Sequence, residues 1–320
     1  MRLERLFLRD GNLRPIWRFF LSVILVLFAY AAAYLLAEEV HEFIPQAWAW
    51  YATLFPCQLL ALLAAFKIMT RVFDHKPLGV VGLTFHPDWL RELGAGLVIG
   101  GIMMVLVGGT EGLLALVRFA RNPLPGRVEL AYGTGLFLVL LISATNEELT
   151  FRGYPFQKLV QSLGPPGAIA VSSACFGLAH LGNPHPTWIS TLNTMLVGIP
   201  LSIAYLRTRA LWMPVGIHFA WNYVQGYVFG LPLSGYTFST SLLSAQVLGA
   251  AWLTGSDYGP EGGLLATVVI VAAGVCLFLS PRIRINERMK ELVFGSSQDA
   301  AANAPVHILP GPGPGPDGRA

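Results

Sequence analysis

Charge is what this sequence has least of. Only 12% of its 320 residues are Asp, Glu, Lys or Arg, whereas 54% are hydrophobic, and the mean hydropathy is +0.58. Soluble domains are usually about a quarter charged. The composition therefore excludes an ordinary soluble domain and indicates an integral membrane protein.

Cysteine is also scarce, and several protease signatures are missing. Cys57, Cys175 and Cys276 all lie in apolar runs, which excludes a disulfide framework and a paired-cysteine metal site. The sequence has no GxSG, GxGD or HExxH motif. The net charge is only +3, and the bases lie at the ends of apolar runs rather than in one patch. This pattern indicates membrane topology and not nucleic-acid binding.

Apolar runs long enough to cross a bilayer, which needs about 20 helical residues, recur along the chain. The first run is too long for a signal peptide and has no cleavage site. The sequence therefore predicts an all-α polytopic transmembrane bundle of about eight spans. These are 16–37, 47–69, 93–117, 131–149, 166–182, 187–206, 211–230 and 262–280.

The distribution of Lys and Arg sets the predicted orientation. Almost all of these residues lie on the side of the N-terminal arginines, and Arg118, Arg121 and Arg127 are the exceptions. Both termini are therefore predicted to be cytosolic. We predict a basic N-terminal segment (1–15), one transmembrane domain (16–290, motif core 130–230) and a disordered cytosolic tail (291–320). The apolar middle of the long 231–261 loop, Leu242–Leu253, is predicted to be re-entrant or interfacial.

Six polar side chains within or at the end of the predicted spans stand out, because an ionisable group at the membrane centre costs at least roughly 2.5–3.5 kcal/mol. They are Glu147, Glu148, Arg152, His180, His218 and Asn222. Taken alone, the i, i+4 pair of Glu148 and Arg152 fits a structural salt bridge, and either histidine fits a packing residue. On three different spans together, these groups indicate water chemistry on an amide. A glutamate suits a general base, and a His with an Asn on one helical face suits an oxyanion site.

Three motifs carry a resemblance to a known family. EELTFR (147–152), FGLAH (176–180) and HFAWN (218–222) match the EExxxR, FxxxH and HxxxN motifs of the CPBP family, in the same order. This family comprises CAAX proteases and bacteriocin-processing, Abi-like enzymes. The resemblance covers roughly residues 130–230 and implies an intramembrane endopeptidase of the type II CAAX prenyl endopeptidase kind.

The resemblance also implies roles for these residues. Glu147 and His180 would activate water, His218 and Asn222 would form the oxyanion hole, and Glu148 with Arg152 would brace the site. The expected partners are membrane lipid and a peptide or protein substrate, with or without a lipid group. Family members are commonly labelled metalloproteases, so Glu147, His180 and His218 are a candidate zinc set. A metal-free, glutamate-dependent site explains Asn222 better, because Asn is a poor zinc ligand.

Two other functions compete with this one. Intramembrane Glu and His residues also mark proton-coupled transporters, although no internal repeat of the kind common in carriers is evident. A non-catalytic immunity or scaffold protein is the second alternative.

The spacing of the motifs predicts the geometry of the site. The segment LGPPG (163–167) lies midway between Glu147 and His180, so an antiparallel hairpin turning there would bring the two residues level. Arg152, Gln157, Lys158 and Gln161 are then expected in a solvated part of the hairpin that protrudes about 11 Å. The site is expected about 10 Å below the cytosolic surface and open to that side.

Overall fold

The computed structural model describes residues 6–9, 11–44, 47–123 and 125–294. Over these ranges the chain is an all-α bundle. Its helices are α1 Pro15–Phe43, α2 Ala47–Phe73, α3 Trp89–Leu113, α4 Gly126–Arg152, α5 Tyr154–Ala179, α6 Trp188–Thr208, α7 Trp212–Tyr223, α8 Ala251–Thr254, α9 Leu264–Leu279 and α10 Glu287–Phe294. The strands are β1 Leu8–Arg9, β2 Asn12–Leu13, β3 Val117–Arg121 and β4 Leu243–Val247.

Each of the eight predicted spans coincides with one helix, namely α1 to α7 and α9. Within the described residues, five stretches are long and apolar enough to cross a membrane. One of them, 126–182, contains both α4 and α5, and α9 is apolar but only 16 residues long. The all-α polytopic fold is confirmed. The count of about eight spans stays a prediction.

Helices α3 and α7 pack closely because glycines stand where they cross. A Cβ on Gly100 would lie 2.1 Å from the carbonyl oxygen of Ile217, and one on Gly96 would lie 2.3 Å from that of Met213. Small residues four apart allow this approach between membrane helices. His218 follows Ile217 in the chain, so the same contact fixes the start of the HFAWN motif.

Helices α4 and α5 form the predicted hairpin. Helix α5 turns at Gly164, whose φ of 71° and ψ of 170° are accessible to glycine and unfavourable for other residues. Beyond this turn, α5 runs back beside α4, and the Ser172 hydroxyl donates a 2.7 Å hydrogen bond to the carbonyl of Phe151. The turn predicted within 163–167 is therefore confirmed.

The predicted solvation of this hairpin is wrong for two of its polar residues. The exposed fractions of Arg152 and Lys158 are 0% and 3%. The first half of α5 packs against α1 and α2 instead of projecting from the bundle. Both cations are consequently paired inside the protein, Arg152 with Glu148 and Lys158 with Asp74.

The connections opposite the N-terminal arginines contain a small β-ribbon. The third predicted span, 93–117, ends early because α3 stops at Leu113 and Val117 begins β3. Strand β3 pairs antiparallel with β4, which occupies five of the twelve residues in the apolar middle of the 231–261 loop. The last three residues of that middle lie in α8.

At the C-terminal end, residues 291–294 of the predicted tail complete α10. The rest of that tail and residues 1–5 of the predicted N-terminal segment lie outside the described residues.

Candidate active site

The first glutamate of the EExxxR motif lies between the two motif histidines. Glu147 Oε2 is 3.7 Å from His180 Nε2 and 3.7 Å from His218 Nε2. Glu147 Oε2 is buried and has no hydrogen-bond partner among the described protein atoms. The two separations are too long for direct hydrogen bonds, and they leave room for a small polar molecule that contacts all three groups.

Both imidazoles are oriented by their other ring nitrogen. His180 Nδ1 is 2.8 Å from the carbonyl oxygen of Phe176, and His218 Nδ1 is 2.8 Å from Glu148 Oε1. Carbonyl and carboxylate oxygens only accept hydrogen bonds, so each Nδ1 carries the proton. Each ring therefore directs its Nε2 toward Glu147.

Glu148 and Arg152 form a fully buried ion pair beneath these rings. Arg152 Nη1 lies 3.2 Å from Glu148 Oε1, and both side chains have an exposed fraction of 0%. Arg152 Nη2 also donates to the carbonyl of Gly198 on α6. Its guanidinium lies 4.5 Å from the ring centroid of Phe176, a cation–π distance. One arginine thus links α4, α5 and α6.

A cavity of about 1280 Å³ contains the three central side chains. Asn222, one turn after His218 on α7, also lines it, whereas Glu148 and Arg152 lie behind its wall. All six residues singled out in the sequence therefore surround one site, four of them on the cavity and two supporting them.

The site lies farther from the end that carries the N-terminal arginines than the predicted depth requires, and it opens away from that end. Tyr30 Oη lies 3.1 Å from Thr150 Oγ1, and Tyr30 is about 18 Å beyond Arg18 along α1. Glu147 is farther still from that end, so the site is deeper than the predicted 10 Å. The cavity extends away from the N-terminal arginines, toward Tyr34 and Tyr132. The physical reason is that α4 ends inside the bundle and the first half of α5 covers that end.

The donor atoms stand farther apart than the ligands of a bound zinc ion do. Glu147, His180 and His218 have the donor types of a catalytic zinc site. However, tetrahedral ligands at about 2.0 Å from zinc stand about 3.3 Å from one another, less than the 3.7 Å measured from Glu147 to each imidazole. Within the described part of the chain, no group of three or more His, Cys, Asp or Glu side chains is arranged to hold a metal ion.

Glu261 is a further acidic group at the cavity that the sequence did not indicate. Its Oε2 accepts hydrogen bonds from the Ser234 amide and hydroxyl, at 2.7 and 2.8 Å. Burial raises the pKa of Glu261, and the bonds from Ser234 and the nearby His180 oppose that rise. No motif spacing marks Glu261, because it lies in a loop that only the fold brings to the site.

Comparison with known proteins supports a protease. Residues 131–224 match the family described as type II CAAX prenyl endopeptidase, Rce1-like. No curated protein and no solved structure shows a significant match to the chain. The matched segment contains all three motifs, so the resemblance to CPBP intramembrane proteases is confirmed there. The match supports a CAAX-protease-like intramembrane endopeptidase.

Proposed function

We propose that the chain is a glutamate-dependent intramembrane endopeptidase. Glu147 acts as the general base, and His180 shares the proton of the attacking water. His218 and Asn222 bind the oxyanion, and Glu148 with Arg152 hold His218 in place.

The reaction follows from these roles. Glu147 accepts a proton from water while the water oxygen bonds to the carbonyl carbon of the substrate. The resulting tetrahedral oxyanion is bound by His218, protonated beside the Glu148 carboxylate, and by the Asn222 amide. The proton then passes to the amide nitrogen, the C–N bond breaks, and a new carboxyl and a new amine leave.

The observation that carries this proposal is the position of Glu147 Oε2, buried and 3.7 Å from both imidazoles. A water placed there can contact a carboxylate and two imidazoles together. A general base in such a position contributes about 10²–10⁴-fold to a rate. The buried ion pair of Glu148 and Arg152 further supports this proposal, because it would hold the groups around that water in fixed positions.

We further propose that both termini are cytosolic, on the evidence of the Lys and Arg distribution. The substrate is a peptide or protein segment at the membrane, with or without a lipid group. The cavity walls are mostly apolar side chains of α2, α4 and α7, which supports a substrate that carries apolar residues beside its scissile bond.

The test is peptide cleavage by purified protein in proteoliposomes, with a library of prenylated and unmodified peptides and mass spectrometry of the products. Glu147→Gln is nearly isosteric but removes the base, so cleavage should be lost while thermal unfolding in detergent stays unchanged. Glu42→Gln, at an exposed position away from the cavity, is the matched control and should cleave like wild type. Near-normal turnover by Glu147→Gln would show that this carboxylate is not the base.

A further inference from the structure

The two ends of the helical bundle differ in how tightly they are closed. At the end that carries the N-terminal arginines, large side chains from α2, α5, α6 and the segment before α7 form one buried cluster. Its members include Phe66, Tyr154, Phe156, Tyr205 and Leu211, none of which has an exposed fraction above 1%. These five side chains are therefore closed off from the surface at this end.

Hydrogen bonds and ion pairs also join the helices at the end that carries the N-terminal arginines. Asp74 Oδ1 binds both Arg18 at 2.8 Å and Lys158 at 2.6 Å. Gln157 donates from Nε2 to the carbonyl of Val80 and to the hydroxyl of Tyr205. A peptide reaching Glu147 from this side would have to break these bonds and displace the cluster.

At the opposite end the cavity wall reaches the protein surface. Four tyrosines that line the cavity are 42–50% exposed: Tyr34, Tyr51, Tyr132 and Tyr236. Residues 237–240 line the cavity beside them, with the small polar side chains of Thr237, Ser239 and Thr240 and the ring of Phe238. Farther from this end, α2 and α4 are joined where the Asn146 amide donates to the carbonyl of Phe55.

The basic residues tell which side of the membrane each end faces. The closed end carries Arg18, Lys76, Lys158, Arg207 and Arg209. The open end carries Arg118, Arg121 and Arg127, which lie on or near β3. Lys and Arg accumulate on the cytosolic side of membrane proteins, which assigns the closed end to the cytosol and the open end to the other side.

We infer that the substrate approaches from the non-cytosolic face, as a polypeptide segment exposed there or held in the adjoining leaflet, through the opening framed by Tyr34, Tyr51, Tyr132 and residues 236–240. This inference rests on the proposed hydrolase function for what happens at Glu147. The expected substrates are therefore segments of exported or membrane-anchored proteins on that face, and not the tails of cytosolic proteins.

The side chains that line the cavity further restrict the class of substrates. The ionisable side chains on the cavity include Glu147 and Glu261, and the described lining contains neither Lys nor Arg. An anionic segment would lie near two acidic side chains and would find no Lys or Arg on the lining, while His218 is already paired with Glu148, and this is unfavourable in a low-dielectric cavity. The favoured segment is therefore apolar or cationic around its scissile bond.

The access route can be tested by cysteine labelling of the full chain in oriented membranes. Thr237→Cys places a thiol on the exposed rim of the opening, and Ser162→Cys places a matched thiol on the exposed surface of the closed end. A membrane-impermeant maleimide is applied to right-side-out and to inside-out vesicles. The wild-type chain reports the background from its three native cysteines.

We expect Thr237→Cys to react in right-side-out vesicles and Ser162→Cys in inside-out vesicles. A bulky maleimide on Thr237→Cys should abolish peptide cleavage, whereas the same group on Ser162→Cys should leave it unchanged. The reverse pattern of labelling, or loss of cleavage upon labelling of Ser162→Cys alone, would overturn the inference.

Failure of this inference is distinguishable from failure of the proposed function. Labelling is repeated in Glu147→Gln, where it should be the same as in the active chain, because access does not depend on turnover. The expected sidedness without any peptide cleavage would reject the hydrolase and keep the opening. Cleavage by wild type with reversed sidedness would keep the hydrolase and reject the opening.

Discussion

Glu148 is bonded to His218 across two helices, with 2.8 Å between its Oε1 and His218 Nδ1. The same oxygen is 3.2 Å from Arg152 Nη1. Glu148 therefore does more than pair with the arginine on its own helix. It fixes the tautomer and the orientation of the imidazole that faces Glu147.

The first prediction concerns this bond. Glu148→Gln keeps the size of the side chain but removes the charge that holds a protonated His218, so kcat should fall about 10²-fold or more with a much smaller change in KM. Glu148→Asp keeps the charge and should restore part of the loss. The measurement is steady-state peptide cleavage in proteoliposomes. A change confined to KM would instead indicate a substrate-binding role.

A second prediction concerns stability. Arg152→Ala leaves Glu148 charged and buried without its partner, and breaking a buried pair costs roughly 3–5 kcal/mol. We expect lower thermal stability in detergent and lower yield, together with lost activity. Arg152→Lys keeps the charge but loses the second contact, to Gly198. Its thermal stability should therefore lie between that of Arg152→Ala and that of wild type. Full stability of Arg152→Ala with no activity would point to a direct catalytic role.

Much of this fold could be predicted from one-dimensional patterns. Apolar runs of membrane length located the helices, and LGPPG located the turn at Gly164, because Gly is needed for its positive φ. The β-ribbon could not be predicted in this way. Val117 extends an apolar run in the sequence, but its strand partner is Val247, 130 positions away.

The six site residues were identified because polar and charged side chains are rare in and beside membrane spans, and rarity is visible in a sequence. Their partnerships across helices were not visible. The i, i+4 spacing indicates the pair of Glu148 with Arg152, whereas the bond from Glu148 to His218 depends on how α4 packs on α7. The position of the site along the bundle was also not visible. It depends on the burial of the first half of α5, where Lys158 pairs with Asp74 at the end of a neighbouring helix.

A third prediction concerns metal. If Glu147 activates water directly, strong chelators should leave peptide cleavage intact, and elemental analysis of active protein should find no stoichiometric zinc. The control is a known zinc protease treated in parallel, which the chelator should inactivate. One zinc per chain, with activity lost on its removal and restored on its return, would contradict the glutamate-dependent mechanism.

The fourth prediction concerns Glu261, whose carboxylate joins the end of the 231–261 loop to Ser234 beside His180. Because burial raises the pKa of Glu261 in the folded protein, the folded state binds a proton here more tightly than the unfolded chain does. The contribution of this group to stability is therefore greatest at acidic pH. It declines as the pH rises from the usual carboxylate range through the raised folded pKa.

Glu261→Gln mimics the protonated form and can still accept hydrogen bonds from Ser234. We expect the Tm difference between Glu261→Gln and wild type to move in favour of the variant as the pH rises from about 4.5 to about 7.5. Thermal unfolding in detergent, followed by tryptophan fluorescence, measures this difference, and Glu42→Gln serves as the exposed control. If Glu261→Gln were less stable than wild type by a margin that grows with pH, the carboxylate would be stabilised as a charge by Ser234 and His180, and its burial would not dominate.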